Sequence, residues 1–143
     1  MISFFAPGLP KPQGSKNAFH SKSTGKIVVV EQAGRPLKDW RDSVAVAARQ
    51  AAGTPLEGPI VVSLTFDLPR PKSHGKKTTY PDKRPDIDKL VRAALDAMTK
   101  ICFTDDGQIT VLSAVKRWGS PPGVHVIVVP YLGQGEQPDL GIA

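Results

Sequence analysis

The chain has 143 residues, with 19 Lys and Arg against 13 Asp and Glu, a formal charge of +6, and a single cysteine. That length suits one domain with a modest core. A lone Cys102 excludes an internal disulfide, one Cys with three scattered His argues against a zinc site, and no apolar run reaches the ~20 residues of a membrane helix.

The positive charge is gathered in two stretches. Residues 1–30 carry Lys11, Lys16, Lys22 and Lys26 and no acid, for +4. Residues 70–84 carry Arg70, Lys72, Lys76, Lys77, Lys83 and Arg84 against Asp82, for +5, which leaves −3 for the remainder. Basic loops on an otherwise acidic domain suit a phosphate backbone. Ordinary solvated loops are the plainer alternative. A reducing intracellular compartment fits the cysteine count, with Cys102 between Ile101 and Phe103 as a small buried hydrophobe. The N-terminus lacks a signal-peptide pattern.

In chain order, Ile2–Ala6 is β-prone and stops at Pro7-Gly8. Pro7 to Pro12 is extended and stiff, because its prolines fit neither a helix nor a central strand. Residues 17–31 read as a hairpin turning at Ser23-Thr-Gly-Lys26. Pro36 opens a helix whose stripe is Leu37, Trp40, Val44, Ala47, Ala48 and Ala51, and Gly53 ends it. Ala45, Ala47, Ala48 and Ala51 leave room for a close neighbour such as a second subunit. Ile60–Leu68 is the clearest strand, with Val62, Leu64, Phe66 and Leu68 on a buried face and Ser63, Thr65 and Asp67 on a more polar one.

Pro69 to Pro85 is a long basic loop without apolar periodicity, expected to be mobile without its ligand. A second helix spans Asp86 to Lys100 with apolar Ile87, Leu90, Val91, Ala94 and Met98, and strands follow over 108–118 and 124–132. One domain is expected over residues 1–132 and a disordered tail over 133–143. The order β, hairpin, α, β, α, β, β predicts an α+β two-layer sandwich with a mixed sheet and two main helices.

Two acidic pairs bracket the second helix: Asp86 and Asp88 at its start, Asp105 and Asp106 in the turn after it. Cleaving a phosphodiester needs an activated water and charge stabilisation, which Mg²⁺ held by carboxylates supplies. Each pair has a plainer reading. Asp suits a helix start as cap and dipole partner, and Asp105-Asp106-Gly107 reads as a turn. A helix of about fifteen residues is ~22 Å long, so the pairs share an ion only if the second folds back beside the helix start.

The stretch Arg84-Pro-Asp-Ile-Asp-Lys-Leu-Val-Arg-Ala-Ala-Leu-Asp-Ala-Met-Thr-Lys100, followed by Asp105-Asp-Gly-Gln-Ile109, resembles the RusA family of Holliday junction resolvases. The segment Pro7-Gly-Leu-Pro-Lys-Pro12 matches more weakly. The resemblance implies a RusA-like fold of the same class and a Mg²⁺-dependent endonuclease, with Mn²⁺ as a substitute. That enzyme resolves four-way DNA junctions in recombination and repair by paired symmetric nicks. It places the catalytic, metal-binding acids at Asp86, Asp88 and Asp106, with Asp105 as alternate. Where the family commonly has Lys, this chain has Arg92; where it often has Asn, this chain has Lys89. Arg92 keeps the charge but neither gives nor takes a proton, and an Asp88–Arg92 ion pair at i, i+4 is its plainer reading. Asp96 falls in the same pattern as a structural or supporting acid.

The expected DNA contacts are Lys11, Lys16, Lys72, Lys76, Lys77, Lys83, Arg84 and Lys89. Tyr80 is a weaker candidate for base stacking. His74 is a candidate phosphate contact, and His125 reads as structural. Junction symmetry implies a homodimer, and the family implies the cytoplasm of a bacterium or of a bacteriophage's host. A non-catalytic DNA-binding protein and a nuclease for flaps or forks stand as alternatives.

Overall fold

The computed structural model describes residues 1–14, 16–20, 27–31, 34–72 and 79–140, with 16–20 and 27–31 given by backbone alone. Among the described residues nine elements follow one another: β1 (Ile2–Pro7), β2 (Lys16–His20), β3 (Ile27–Glu31), α1 (Gly34–Ala51), β4 (Ile60–Leu68), α2 (Ile87–Met98), a 3₁₀ turn (Asp106–Gln108), β5 (Ile109–Trp118) and β6 (Gly123–Pro130). The main sheet has the order β1-β6-β4-β5. β1 and β6 are antiparallel, as are β6 and β4, whereas β4 and β5 run parallel. The sheet is therefore mixed, and with two helices the chain is an α+β protein as expected. β2 and β3 pair separately as the anticipated hairpin; its turn at 23–26 lies outside the described residues.

The core joins α1, α2 and one sheet face. Leu37, Trp40, Val44, Ala47 and Ala48 of α1 meet Leu90, Ala93, Ala94 and Met98 of α2 and Val62, Leu64, Phe66, Val124, Val126 and Val128 of the sheet. Ala47 and Ala48, read as room for a second subunit, are buried in this chain's own core. β4 departs from its expected half-polar pattern. Flanked on both sides, it buries Ser63 at 4% exposure and Asp67 at 6%.

α2 is shorter than Asp86–Lys100. Asp86 is its N-cap, and Thr99 ends it by donating to the Leu95 carbonyl. Lys100 then takes a left-handed φ of 71°, and Met98 O accepts from both Ile101 and Cys102. Cys102 is fully buried, and burial pushes its thiol up to about 11.

Parallel β4 and β5 need a long crossover. That crossover is the basic loop, α2 and the 3₁₀ turn, so the acids lie in the connection. Residues 133–137, where the sequence reading begins its tail, make a turn. Gln137 donates from Nε2 to Pro130 O at 3.2 Å and accepts the Leu132 N–H at 2.9 Å. Among the described residues no helix is long and apolar enough to cross a membrane.

Candidate active site

β5 sets the entry to α2. Lys116 Nζ donates to the carbonyl oxygens of Lys83 at 2.7 Å and Pro85 at 3.0 Å, on either side of the cis Arg84–Pro85 peptide. The helix begins with Leu90 N–H donating to Asp86 O. Asp86 occupies the cap position, but its side chain makes no capping hydrogen bond. Its carboxylate lies 3.2 Å from Lys89 Nζ. Both groups are about half exposed, so the pair contributes at most ~1 kcal/mol. Asp88 and Arg92 are exposed on the same face, and no ion pair joins them. The Asp86 carboxylate is therefore no cap but pairs with Lys89, and Asp88 and Arg92 are not paired with each other.

The second acidic pair is built differently. Asp105 Oδ1 accepts the Gly107 N–H at 3.0 Å. Gln108 Oε1 accepts the N–H groups of Thr104 and Asp105, completing a capping box. Gln108 Nε2 donates to Leu56 O and Gly58 O, both at 2.9 Å, and so staples the turn to the segment before β4. The Gly107 hydrogen bond and then the Asp106 side chain hold the Asp105 carboxyl below its ordinary value. The hydrogen bond with Asp105, slight desolvation, and the charges of Asp105 and Asp96 push Asp106 up. Asp105 is thus the turn's structural acid, and Asp106 is the partner whose carboxyl is held above its ordinary value.

The two pairs do not converge at the helix start. The carboxylates whose charges act on Asp106 are Asp105 and Asp96. Asp96 is ten residues beyond Asp86, ~15 Å along the axis. Asp88, Arg92 and Asp96 form an exposed row at four-residue spacing. Asp96 accepts Gln13 Nε2 at 2.5 Å, and the Gln13 N–H donates to Lys89 O at 3.0 Å. The proline-rich segment therefore lies along α2, where nothing local in the sequence placed Gln13.

Among the described residues no group of three His, Cys, Asp or Glu side chains is set to hold a metal ion. Two exposed carboxylates, Asp86 and Asp88, still suit Mg²⁺. That ion is usually bound through one or two carboxylates, with water and substrate phosphate filling the other positions.

Cations flank the acids on two sides. Lys11, Lys83, Arg84 and Lys89 line a cavity beside Asp86 together with Trp118. Arg35, Lys38 and Arg41 of α1 line another beside Asp96. The α1 group is absent from the sequence reading, because residues six apart on one helix reveal no partner by spacing alone. Lys72 is exposed, and Tyr80 is 67% exposed. Lys16 is described by backbone only, while Lys76, Lys77 and His74 lie outside the described residues. His125 is structural as read: its Nε2 lies 2.8 Å from Asp67 and its ring 4.6 Å from that of Phe5.

A family model described as "Endodeoxyribonuclease RusA" matches residues 7–129. The chain is also similar to "Uncharacterized protein YqaN" of Bacillus subtilis (strain 168), at 28% identity over 138 residues, covering 89% of this chain and 94% of that protein.

Proposed function

The chain belongs to the RusA endodeoxyribonuclease family and is a crossover junction endodeoxyribonuclease; from that premise we propose that it resolves four-way DNA junctions by paired symmetric nicks and depends on Mg²⁺. The observation that carries this reading is the exposed row on α2. Exposed acids, none of them capping the helix with its side chain, stand between two sets of cations.

In this reading Asp86 and Asp88 would hold the ion, which would supply Lewis acidity and activate a water. Arg92 meets phosphate oxygens as a fixed cation. Asp106, the third acid of the family motif, is assigned to the same reaction. Lys83, Arg84 and Lys89 hold one stretch of backbone, with Lys11, Lys16, Lys72, Lys76 and Lys77 as further contacts. Arg35, Lys38 and Arg41 hold another stretch.

The working unit in this reading is one domain over residues 1–132, doubled in a C₂ homodimer so that two sites face a two-fold junction. It acts in the cytoplasm of a bacterial or phage-infected cell. A synthetic four-way junction tests the reading. Mg²⁺ is expected to give paired nicks at symmetric positions, and EDTA to leave binding without nicks. Nicking of flaps or forks in preference to junctions would turn the assignment to another branched substrate.

A further inference from the structure

Between the proline-rich segment and the end of β5 lies a cavity of about 600 Å³. That is within the ~300–1,000 Å³ typical of small-molecule sites. Its lining is divided by chemistry. Trp118, Leu9 and Leu68 give an apolar wall, and Lys83, Arg84 and Lys89 give a basic side that reaches Asp86.

Trp118 is held by strands. It is the last residue of β5, in register with Leu68, and the next N–H, that of Gly119, donates to Leu68 O at 3.0 Å. The Arg70 guanidinium carbon stands 5.5 Å from the ring centroid. A group resting on this ring therefore meets a rigid surface.

A flat aromatic wall with cations on one side suits one kind of occupant. An unpaired nucleotide stacks its base on the ring and gives its phosphate to the cations. A double helix presents only base edges, so a paired base does not reach such a wall. At a branch point the continuous stack of a duplex is interrupted, so a base extruded there gives up less stacking than one inside a duplex.

We propose that this cavity takes one base extruded from the junction branch, stacked on Trp118, with the adjoining phosphates on Lys83, Arg84 and Lys89. The neighbouring phosphodiester is then delivered to Asp86. Trp118 is thereby a specificity-determining residue, since the base that stacks best selects the bond that is cut. The proposal takes its substrate from the junction-cleavage reading above.

Junctions carrying 2-aminopurine at each branch nucleotide in turn, bound in EDTA, test it. One position is expected to change fluorescence on saturation with the wild-type chain. Trp118→Ala loses that change and binds about tenfold more weakly, the scale of one lost base stack. Trp118→Phe keeps it. Leu9→Asp, at a side chain 45% exposed, diminishes the same signal without touching the core, which covers a Trp118→Ala chain that fails to fold. Equal signals from the wild type, Trp118→Ala and Leu9→Asp overturn the proposal. A chain that neither binds nor nicks junctions overturns the junction reading instead. The same fluorophore in a single-stranded oligonucleotide then decides for the cavity: a Trp118-dependent change keeps it, and none overturns it.

Discussion

Lys116 reaches across from β5 to within 3.0 Å of the carbonyl oxygen of Pro85, the residue that precedes Asp86. With its second bond to Lys83 O, this ammonium fixes the backbone from which α2 starts. Lys116→Met keeps the stem and removes the donor. Nicking is expected to slow by about tenfold, the usual scale for losing a supporting group. Junction affinity in EDTA should hardly move, because no phosphate contact is lost, and Lys116→Arg should restore part of the rate. Equal losses of affinity and rate would make Lys116 a DNA contact.

Asp88→Asn is expected to reduce nicking by more than about 100-fold, the scale of removing one group that stabilises charge in the reaction. Junction binding in EDTA stays the same or tightens, because one negative charge beside the phosphates is gone. Gel-shift and nicking assays on the same junction separate the two effects. Nicking retained by this variant removes Asp88 from the reaction.

In the cation-free chain, Asp106 is expected to titrate above the ordinary carboxylate range and Asp105 below it. Asp105 acts on Asp106 by hydrogen bond and by charge, whereas Asp96 acts by charge alone. Asp105→Asn should therefore lower the Asp106 pKa further than Asp96→Asn does. Carboxyl-carbon NMR titration of both variants measures the order, and a larger effect from Asp96 would contradict the geometry.

Asp67 ties the sheet's polar side together through Arg117 Nε at 2.5 Å and His125 Nε2 at 2.8 Å. Burial alone would raise its carboxyl, but the hydrogen bonds from Arg117 and His125 and their charges outweigh it and hold the group below its ordinary value. A depressed folded value means that this stabilisation is complete above the unfolded pKa of ~3.9 and is lost as pH falls through the folded one. Asp67→Asn should cost about 2 kcal/mol at neutral pH, given that both partners are half exposed. The gap from wild type should close below about pH 4. Urea unfolding across a pH series checks this, and a gap that widens at low pH would refute it.

The apolar periods were readable in the sequence because burial follows them. Leu37, Trp40, Val44, Ala47 and Ala48 are buried, as are Leu90, Val91, Ala94 and Met98. The motif around Asp86, Asp88 and Asp106 was readable because it is local. What escaped depends on contacts distant in sequence. Lys116 meets a loop 33 residues earlier, and Gln13 meets Asp96 across 83 residues. The polar face of β4 was misjudged because alternation reports chemistry and not cover: Asp67 is hidden by partners on two neighbouring strands. Where Asp106 docks along α2 was left open, because nothing in a turn's sequence fixes it.

The parallel pairing of β4 with β5 orders the events of synthesis. Asp86, Asp88 and Asp96 leave the ribosome before Gln108 staples the turn and before Lys116 grips the loop. A chain cut short between Asp96 and Gln108 carries the acids of α2 and neither clamp, so the helix is made before the contacts that seat it.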